Sequence, residues 1–102
     1  MLAEFTIIPI GKGESMGEDI ARVMKIVSDS GLPYKANAMG TILEGEWIAV
    51  MEVIKKCHDE VIKTAPRLVS SIQIDIRPGK PLDRLDEKLR SVEKRLGKKI
   101  QT

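Results

Sequence analysis

Two short extended segments stand back to back in YKANAMGTILEG, residues 34–45, and a helical pattern lies on either side of them. Residues 34–39 are predicted to form one strand, Gly40 to turn the chain, and residues 41–45 to form the next strand. The region also brings together an amide, a hydroxyl, a carboxylate and, at Trp47, the only indole of the chain. It is therefore either a hairpin with ordinary polar positions or the wall of a small-molecule site.

On the N-terminal side, residues 2–9 are rich in strand-forming side chains and predict a first strand. A glycine-rich loop, residues 10–14, follows it and is either an ordinary flexible loop or a ligand-contacting one. Ser15 and Glu18 have the spacing of a capping box, so we expect Ser15 to cap the helix that comes next. Gly31 is expected to end this helix in a left-handed conformation.

On the C-terminal side, a helix is predicted from Trp47 to Lys63 because apolar residues recur there at helical spacing. Residues 67–77 alternate between apolar and polar side chains, which predicts a strand with one buried face. A last helix is predicted over residues 82–97, with a narrow leucine-rich seam between charged flanks. This seam packs either on its own domain or on another copy of the chain.

The predicted order is β-α-β-β-α-β followed by a C-terminal helix, which is an α+β, ferredoxin-like sandwich. We expect a single domain over residues 1–102, with two helices covering one face of a four-stranded sheet. The opposite face mixes polar and apolar side chains and suits either solvent or a partner surface. Its expected members are Thr6, Ile8, Asn37, Met39, Gln73 and Asp75.

Composition excludes several classes of protein. The chain has 42% hydrophobic and 31% charged residues, as folded globular proteins do. Its 17 basic and 15 acidic residues give a net charge of +2, which argues against a nucleic-acid-binding protein. No apolar run reaches the roughly 20 residues that span a bilayer, and the N-terminal segment lacks a basic signal region. With Cys57 as its only cysteine, the protein is expected to be cytoplasmic.

Candidate catalytic groups are few. His58 is the only histidine, and no second ligand stands at metal-binding spacing from it or from Cys57. Cys57 falls in the apolar stripe of the second helix, where a thiol is expected to be an inert core residue. No nucleophile and base are brought together by the predicted order of elements. We therefore predict no catalytic residue, no metal site and no required cofactor.

The side chains around the hairpin do suit one kind of ligand. A planar heterocycle with an exocyclic amine needs an oxygen that accepts from the amine, a donor for a ring nitrogen and a flat apolar surface. The polar side chains and the apolar surface for such a ligand are offered by Ser15, Asn37, Met39, Thr41, Glu44 and Trp47. Thr41 and Glu44 stand an odd number of residues apart, so on a regular strand they face opposite ways.

The same blocks resemble the small thiamine-binding protein family. The matching pieces are FTIIPIGKGES, SGLPYKANAMGTILEG, VIKKCHDEVI and RLVSSIQIDIR, and together they cover nearly the whole chain. The resemblance implies a ferredoxin-like fold that assembles into dimers and tetramers through its sheets. It also implies binding of thiamine or its hydroxymethylpyrimidine part without a known reaction. The residues carried over as candidate ligand contacts are Ser15, Asn37, Met39, Thr41 and Glu44.

Three functions compete at this point. The first is a non-catalytic homo-oligomer, a homodimer or homotetramer, that binds thiamine or hydroxymethylpyrimidine for sequestration, transport or sensing. The second is a regulatory or structural homo-oligomer with a different small-molecule ligand or none. The third is an enzyme, which has the least support because no catalytic group is visible. Trp47 and Ile48 depart from the family pattern, where acidic and small polar residues are more usual.

Overall fold

The computed structural model describes residues 1–13, 16–79 and 84–102. In chain order its elements are β1 (Leu2–Ile10), α1 (Gly17–Asp29), β2 (Tyr34–Asn37), β3 (Gly40–Glu44), α2 (Trp47–Ile62), β4 (Arg67–Asp75) and α3 (Glu87–Leu96). This order confirms the predicted α+β arrangement, βαββαβ with a C-terminal helix.

The strands form one antiparallel sheet in the order β2-β3-β1-β4, so β1 is central and β2 and β4 are the edges. Phe5 of β1 lies opposite Thr41 of β3 on one side and Ile72 of β4 on the other. Paired residues of an antiparallel sheet point to the same face. These three side chains therefore share the face that the helices cover.

The hydrophobic core lies between this face and the two helices α1 and α2, which pack against each other. Alternate residues of β1, Ala3 and Phe5, enter the core. On the edge strand β4, Ile74 packs against the core and Ile72 stays exposed, whereas Ile76 lies beyond the end of the strand. The buried core residues are Met1, Ala3, Phe5, Val27, Leu43, Val50, Val53, Ile54 and Cys57.

The hairpin turn differs from its prediction. Asn37 ends β2 and pairs with Gly40, the first residue of β3, so Ala38 and Met39 form a two-residue turn. The side chain of Asn37 makes this turn possible, because its Oδ1 accepts hydrogen bonds from the backbone N–H groups of Met39 at 2.8 Å and Gly40 at 3.1 Å. Gly40 is therefore a strand residue and not the turn.

The start of α1 also differs from its prediction. Met16 occupies the N-cap position, one residue later than expected, and makes no side-chain capping hydrogen bond. Ser15 lies outside the described residues. At the other end, Gly31 adopts a φ of 80° directly after the helix, which confirms the predicted left-handed position.

The last helix, α3, begins at Glu87, and the predicted start at residue 82 lies outside the described part of the chain. None of its residues is buried. Its N-terminal end is fastened to the sheet by ion pairs: Asp75 Oδ2 lies 2.6 Å from Arg84 Nη2 and 2.7 Å from Lys88 Nζ, and Lys35 pairs with Asp86. No helix among the described residues has the length and apolar character needed to cross a bilayer.

Candidate functional site

A cavity of about 210 Å³ lies between α1, β1 and the β2–β3 hairpin. Most of its described lining is apolar, including Phe5, Ile7, Val23 and Met24. This volume is below the roughly 300–1,000 Å³ of pockets for drug-sized ligands, so it suits a single heterocycle with small substituents. The polar side chains that line it are Thr6, Asp19, Asn37 and Thr41.

Asn37 stands at the hairpin end of this cavity. Its Oδ1 is committed to the turn through the two backbone N–H groups of Met39 and Gly40. The residue as a whole is exposed and borders the cavity. Because its oxygen is held by the turn, the amide group of Asn37 is a donor in a fixed position at the hairpin.

Met39 lies at the tip of the turn, with 83% of its surface exposed. Its carbonyl oxygen accepts a hydrogen bond of 3.1 Å from Thr6 Oγ1 of β1, which ties the tip to the central strand. Met39 also lines the cavity, so its exposed thioether side chain is apolar surface beside that space.

Thr41 lies deeper, on the helix-facing side of β3, and only 7% of it is exposed. Its Oγ1 lies 3.6 Å from Met24 Sδ, a weak acceptor for the hydroxyl proton. A ligand acceptor that entered the cavity would be a stronger partner for this hydroxyl than sulfur.

Asp19 is the one charged residue in the described lining, and only 3% of its surface is exposed. Lys12 Nζ donates to both of its oxygens at 3.0 and 3.2 Å, and Arg22 Nη2 donates at 2.5 Å. The hydrogen bond from Lys12 and the charges of Lys12 and Arg22 lower the pKa of Asp19 despite its burial. Lys12 and Arg22 also donate to Thr64 Oγ1, so this cluster joins the glycine loop to α1 and the end of α2.

Glu44 is not part of this cavity. Its main chain pairs with Leu2, and the register turns its side chain to the sheet face opposite Thr41. There it is 3% exposed and accepts hydrogen bonds from the backbone N–H of Arg84 at 2.6 Å and of Leu85 at 3.4 Å. Through these two hydrogen bonds, Glu44 holds the segment that precedes α3. Of the five candidate ligand contacts, Asn37, Met39 and Thr41 come together, and Ser15 lies outside the described residues.

Cys57 and His58 lie on α2, outside the described lining of the cavity. Burial raises the pKa of the Cys57 thiol to about 11. His58 Nδ1 lies 2.7 Å from the carbonyl oxygen of Ile54 and must donate to it, which leaves Nε2, 2.8 Å from Ser70 Oγ, to accept from that hydroxyl in the neutral ring. Both ring nitrogens are thus engaged, Nδ1 within α2 and Nε2 in a link from α2 to β4.

Comparison with known proteins places the chain in a family. A model of the thiamine-binding protein family matches residues 3–93, which include all the cavity residues named above. The chain belongs to the thiamine-binding protein family. One member similar to it is the UPF0045 protein Mb1933 of Mycobacterium bovis, which is 38% identical over 97 residues, covering 94% of each chain.

Solved structures similar to this member of the thiamine-binding protein family share its fold. The hypothetical protein MJ1052 of Methanocaldococcus jannaschii is 34% identical, with a TM-score of 0.82 over 89% of this chain and 93% of its own. The protein TM0486 of Thermotoga maritima, assigned as a candidate to thiamine biosynthesis or salvage, has a TM-score of 0.77 over 89% and 96% of the two chains. It is 23% identical, so it supports the fold alone.

Two polar residues of the cavity were absent from the sequence-based set. Asp19 occupies a position of the apolar helical stripe, four residues before Val23 and eight before Val27, and a carboxylate in such a stripe was the available signal. Thr6 was assigned to the outer sheet face, which is its register position opposite Ser71. It nevertheless lines the cavity, and its Oγ1 donates to the carbonyl oxygen of Met39 at the tip of the hairpin.

Proposed function

We propose that this protein binds thiamine, or its hydroxymethylpyrimidine part, in the cavity between α1 and the β2–β3 hairpin. The observation that carries the proposal is that Asn37, Met39 and Thr41, from the matching piece SGLPYKANAMGTILEG, line one mostly apolar cavity. Family membership supports a thiamine-related role for that space.

The cavity has the parts that an aminopyrimidine needs. Phe5, Val23 and Met24 offer apolar surface for the faces of the ring. The amide of Asn37 and the hydroxyl of Thr41 offer hydrogen-bond donors to acceptor atoms of the ligand. The opening beside the exposed Met39 leaves room for the second ring of thiamine to extend toward solvent.

The proposed activity is binding without chemistry, for sequestration, transport or sensing, and without a required cofactor or metal. Three observations support it. The thiol of Cys57 is buried with a raised pKa, so it is a poor nucleophile. Both ring nitrogens of His58 are engaged with Ile54 and Ser70. The only carboxylate in the described lining, that of Asp19, is held by Lys12 and Arg22 and is therefore a poor proton acceptor.

The proposal includes self-association, a cytoplasmic location and no nucleic-acid or membrane partner. The near-balance of basic and acidic residues supports the exclusion of nucleic acid. Exposed apolar residues on the sheet face away from the helices, Ile8 and Val69, support contact with further copies of the chain. These residues also favour the alternative function, a regulatory or structural homo-oligomer with a different ligand or none.

Isothermal titration calorimetry with thiamine, hydroxymethylpyrimidine and thiamine diphosphate tests the proposal. The parent protein is expected to bind at least one of the three. Asn37→Asp keeps the oxygen that holds the turn but removes the amide donor, and Thr41→Val removes the hydroxyl at nearly constant volume. Each is expected to weaken binding about five- to 100-fold, because a ligand atom loses its partner.

Glu44→Gln is the matched control, because Glu44 is buried but lies on the other face of the sheet. It is expected to bind the ligand as the parent does. If the parent binds none of the three compounds while it is folded, the proposed function is wrong and the alternative stands. Binding that survives both cavity variants places the site elsewhere.

A further inference from the structure

The central strand β1 is longer than its pairing on the hairpin side. It pairs with β4 along its whole length, from Leu2 opposite Asp75 to Ile10 opposite Arg67. With β3 it pairs only from Leu2 to Phe5. The hairpin turns back at that point, so residues 6–10 pair with a strand on one side only, and residues 6–8 of this stretch line the cavity.

The direction of the free backbone groups follows from the hairpin. In a two-residue hairpin, the residues that flank the turn, here Asn37 and Gly40, exchange both backbone hydrogen bonds. Alternation along β3 then directs the backbone groups of Thr41 toward β1, where its partner is Phe5. Each odd-numbered residue of β1 consequently directs its N–H and C=O to the hairpin side.

Pro9 agrees with this assignment. A proline has no N–H and is accommodated in a sheet only where that donor would have no strand to pair with. Pro9 is odd-numbered and lies beyond the last pair with β3, so its missing donor faces the open side. Ile7 lies between Phe5 and Pro9 on this strand, and it lines the cavity.

We propose that the backbone of Ile7 recognises the ligand edge, so that the cavity selects 4-aminopyrimidines over their 4-oxo analogues. Its N–H donates to the ring nitrogen beside the amine, and its C=O accepts from the amine. The ligand then takes the place that a paired strand residue would occupy, since such a residue also presents one acceptor and one donor side by side. This inference rests on the proposed function and adds the group that determines ligand specificity.

The chemistry of the two ligand classes makes the selection steep. A 4-aminopyrimidine presents acceptor then donor along this edge. A 4-oxopyrimidine carries a proton on that ring nitrogen and an oxygen in place of the amine, so it presents donor then acceptor. Against Ile7 the oxo form sets N–H against N–H and oxygen against oxygen. Buried polar groups left in this state penalise the wrong ligand strongly.

The test compares thiamine with oxythiamine, which differs from it by the 4-oxo group, in calorimetric titrations of the parent protein. Thiamine is expected to bind at least tenfold more tightly. Equal or tighter binding of oxythiamine overturns this inference and leaves the proposed binding site intact. Failure of both compounds to bind overturns the proposed function itself, so the two failures are distinguishable.

Two substitutions at Ile7 separate the backbone from the side chain. Ile7→Pro removes the N–H in a place where the neighbouring Pro9 shows that proline is tolerated. It is expected to reduce the preference for thiamine over oxythiamine to less than threefold. Ile7→Val trims the side chain and keeps the N–H, so the preference is expected to persist at tenfold or more.

Circular dichroism and thermal melting first show whether each variant is folded. A folded Ile7→Pro variant that keeps the full preference overturns the proposal, as does an Ile7→Val variant that loses it. If Ile7→Pro does not fold, the comparison of thiamine with oxythiamine on the parent decides the proposal alone.

Discussion

At the scale of single residues, two polar side chains of the same hairpin have different tasks. Asn37 uses its oxygen to form the turn, and the proposed function assigns its amide group to the ligand. Glu44 uses its carboxylate to bind two backbone N–H groups of the segment before α3. Asn37 and Glu44 both lie in the matching piece SGLPYKANAMGTILEG. Because side chains alternate along β3, however, Thr41 points to the cavity side of the sheet and Glu44 to the opposite side.

Glu44 provides the first prediction. Glu44→Ala leaves the buried N–H of Arg84 without its acceptor and frees that of Leu85, so we expect a loss of about 1–3 kcal/mol in the free energy of unfolding. Urea denaturation measures this loss. The exposed Glu46→Ala is the control and is expected to change stability by less than about 0.5 kcal/mol. A Glu44→Ala protein as stable as the control would show that these two bonds contribute nothing.

Cys57 provides the second prediction. Its pKa of about 11 means that about one thiol in a thousand is ionised at pH 8, and no part of its surface is exposed. We expect a thiol reagent to label the native protein far more slowly than the urea-unfolded chain. Cys57→Ala is expected to cost about 1 kcal/mol in stability and to leave thiamine binding unchanged. Rapid labelling of the native protein with loss of binding would contradict an inert core role.

At the scale of elements, local patterns account for much of the fold. The apolar periodicity of α2 predicted its start at Trp47, and its last helical residue, Ile62, is one before the predicted end. Gly31 marked the end of α1 because only a left-handed residue fits that place readily. The alternation in β4 assigned Ile74 to the core face. Each of these features depends on neighbours in the sequence, which the sequence displays directly.

Other features depend on which elements meet, and the sequence does not display them. The turn at Ala38 and Met39 lacks the usual glycine pair, because the Asn37 side chain supplies the hydrogen bonds instead. In the sequence Asp19 resembles an ordinary residue of the first helical turn, and only the structure shows its ion pairs with Lys12 and Arg22. The open edge at Ile7 exists because β3 is shorter than β1, a mismatch that local alternation cannot reveal.

The junction between α3 and the sheet provides a prediction on pH. Hydrogen bonds from Arg84 and Lys88 and the charges of the two cations lower the pKa of Asp75 to about 2, from an ordinary 3.8. Because the folded-state pKa is the lower one, the stabilisation is complete above pH 3.8 and is lost as the pH falls through about 2. Lys35 lowers the pKa of Asp86 at the same junction.

Asp75→Asn is therefore expected to flatten the dependence of unfolding free energy on pH between about 4 and 2. Urea titrations at several pH values measure this slope. Lys88→Gln removes one of the two cations and is expected to give a slope between those of the parent and Asp75→Asn. An Asp75→Asn protein with the parental slope would show that the junction is not formed in solution.

At the scale of the whole molecule, the chain exposes more surface than a compact monomer of its size. Its accessible surface is 7104 Å², whereas an 11.3 kDa monomer is expected to expose about 5,700 Å². The excess, about 1,400 Å², is larger than the roughly 800 Å² that each partner buries in a standard protein interface. Part of the exposed surface is apolar, because α3 has no buried residue and leaves Val92 and Leu96 about half exposed.

These features lead to the last prediction, that the protein is a homo-oligomer, most simply a tetramer of two dimers. A partner that covers the seam of α3 would bury Leu89, Val92 and Leu96, which share one face of the helix. Sedimentation equilibrium at micromolar concentration is expected to give a multiple of the 11.3 kDa chain mass.

Val92→Glu places a charge in the seam and is expected to lower that mass, because burying an unpaired charge opposes association. Ser91→Glu places the same charge on the far side of the helix and is expected to leave the mass unchanged. A parent protein that sediments as a monomer contradicts the prediction. Equal masses for the two variants would indicate that the interface lies not on α3 but on the sheet face around Ile8 and Val69.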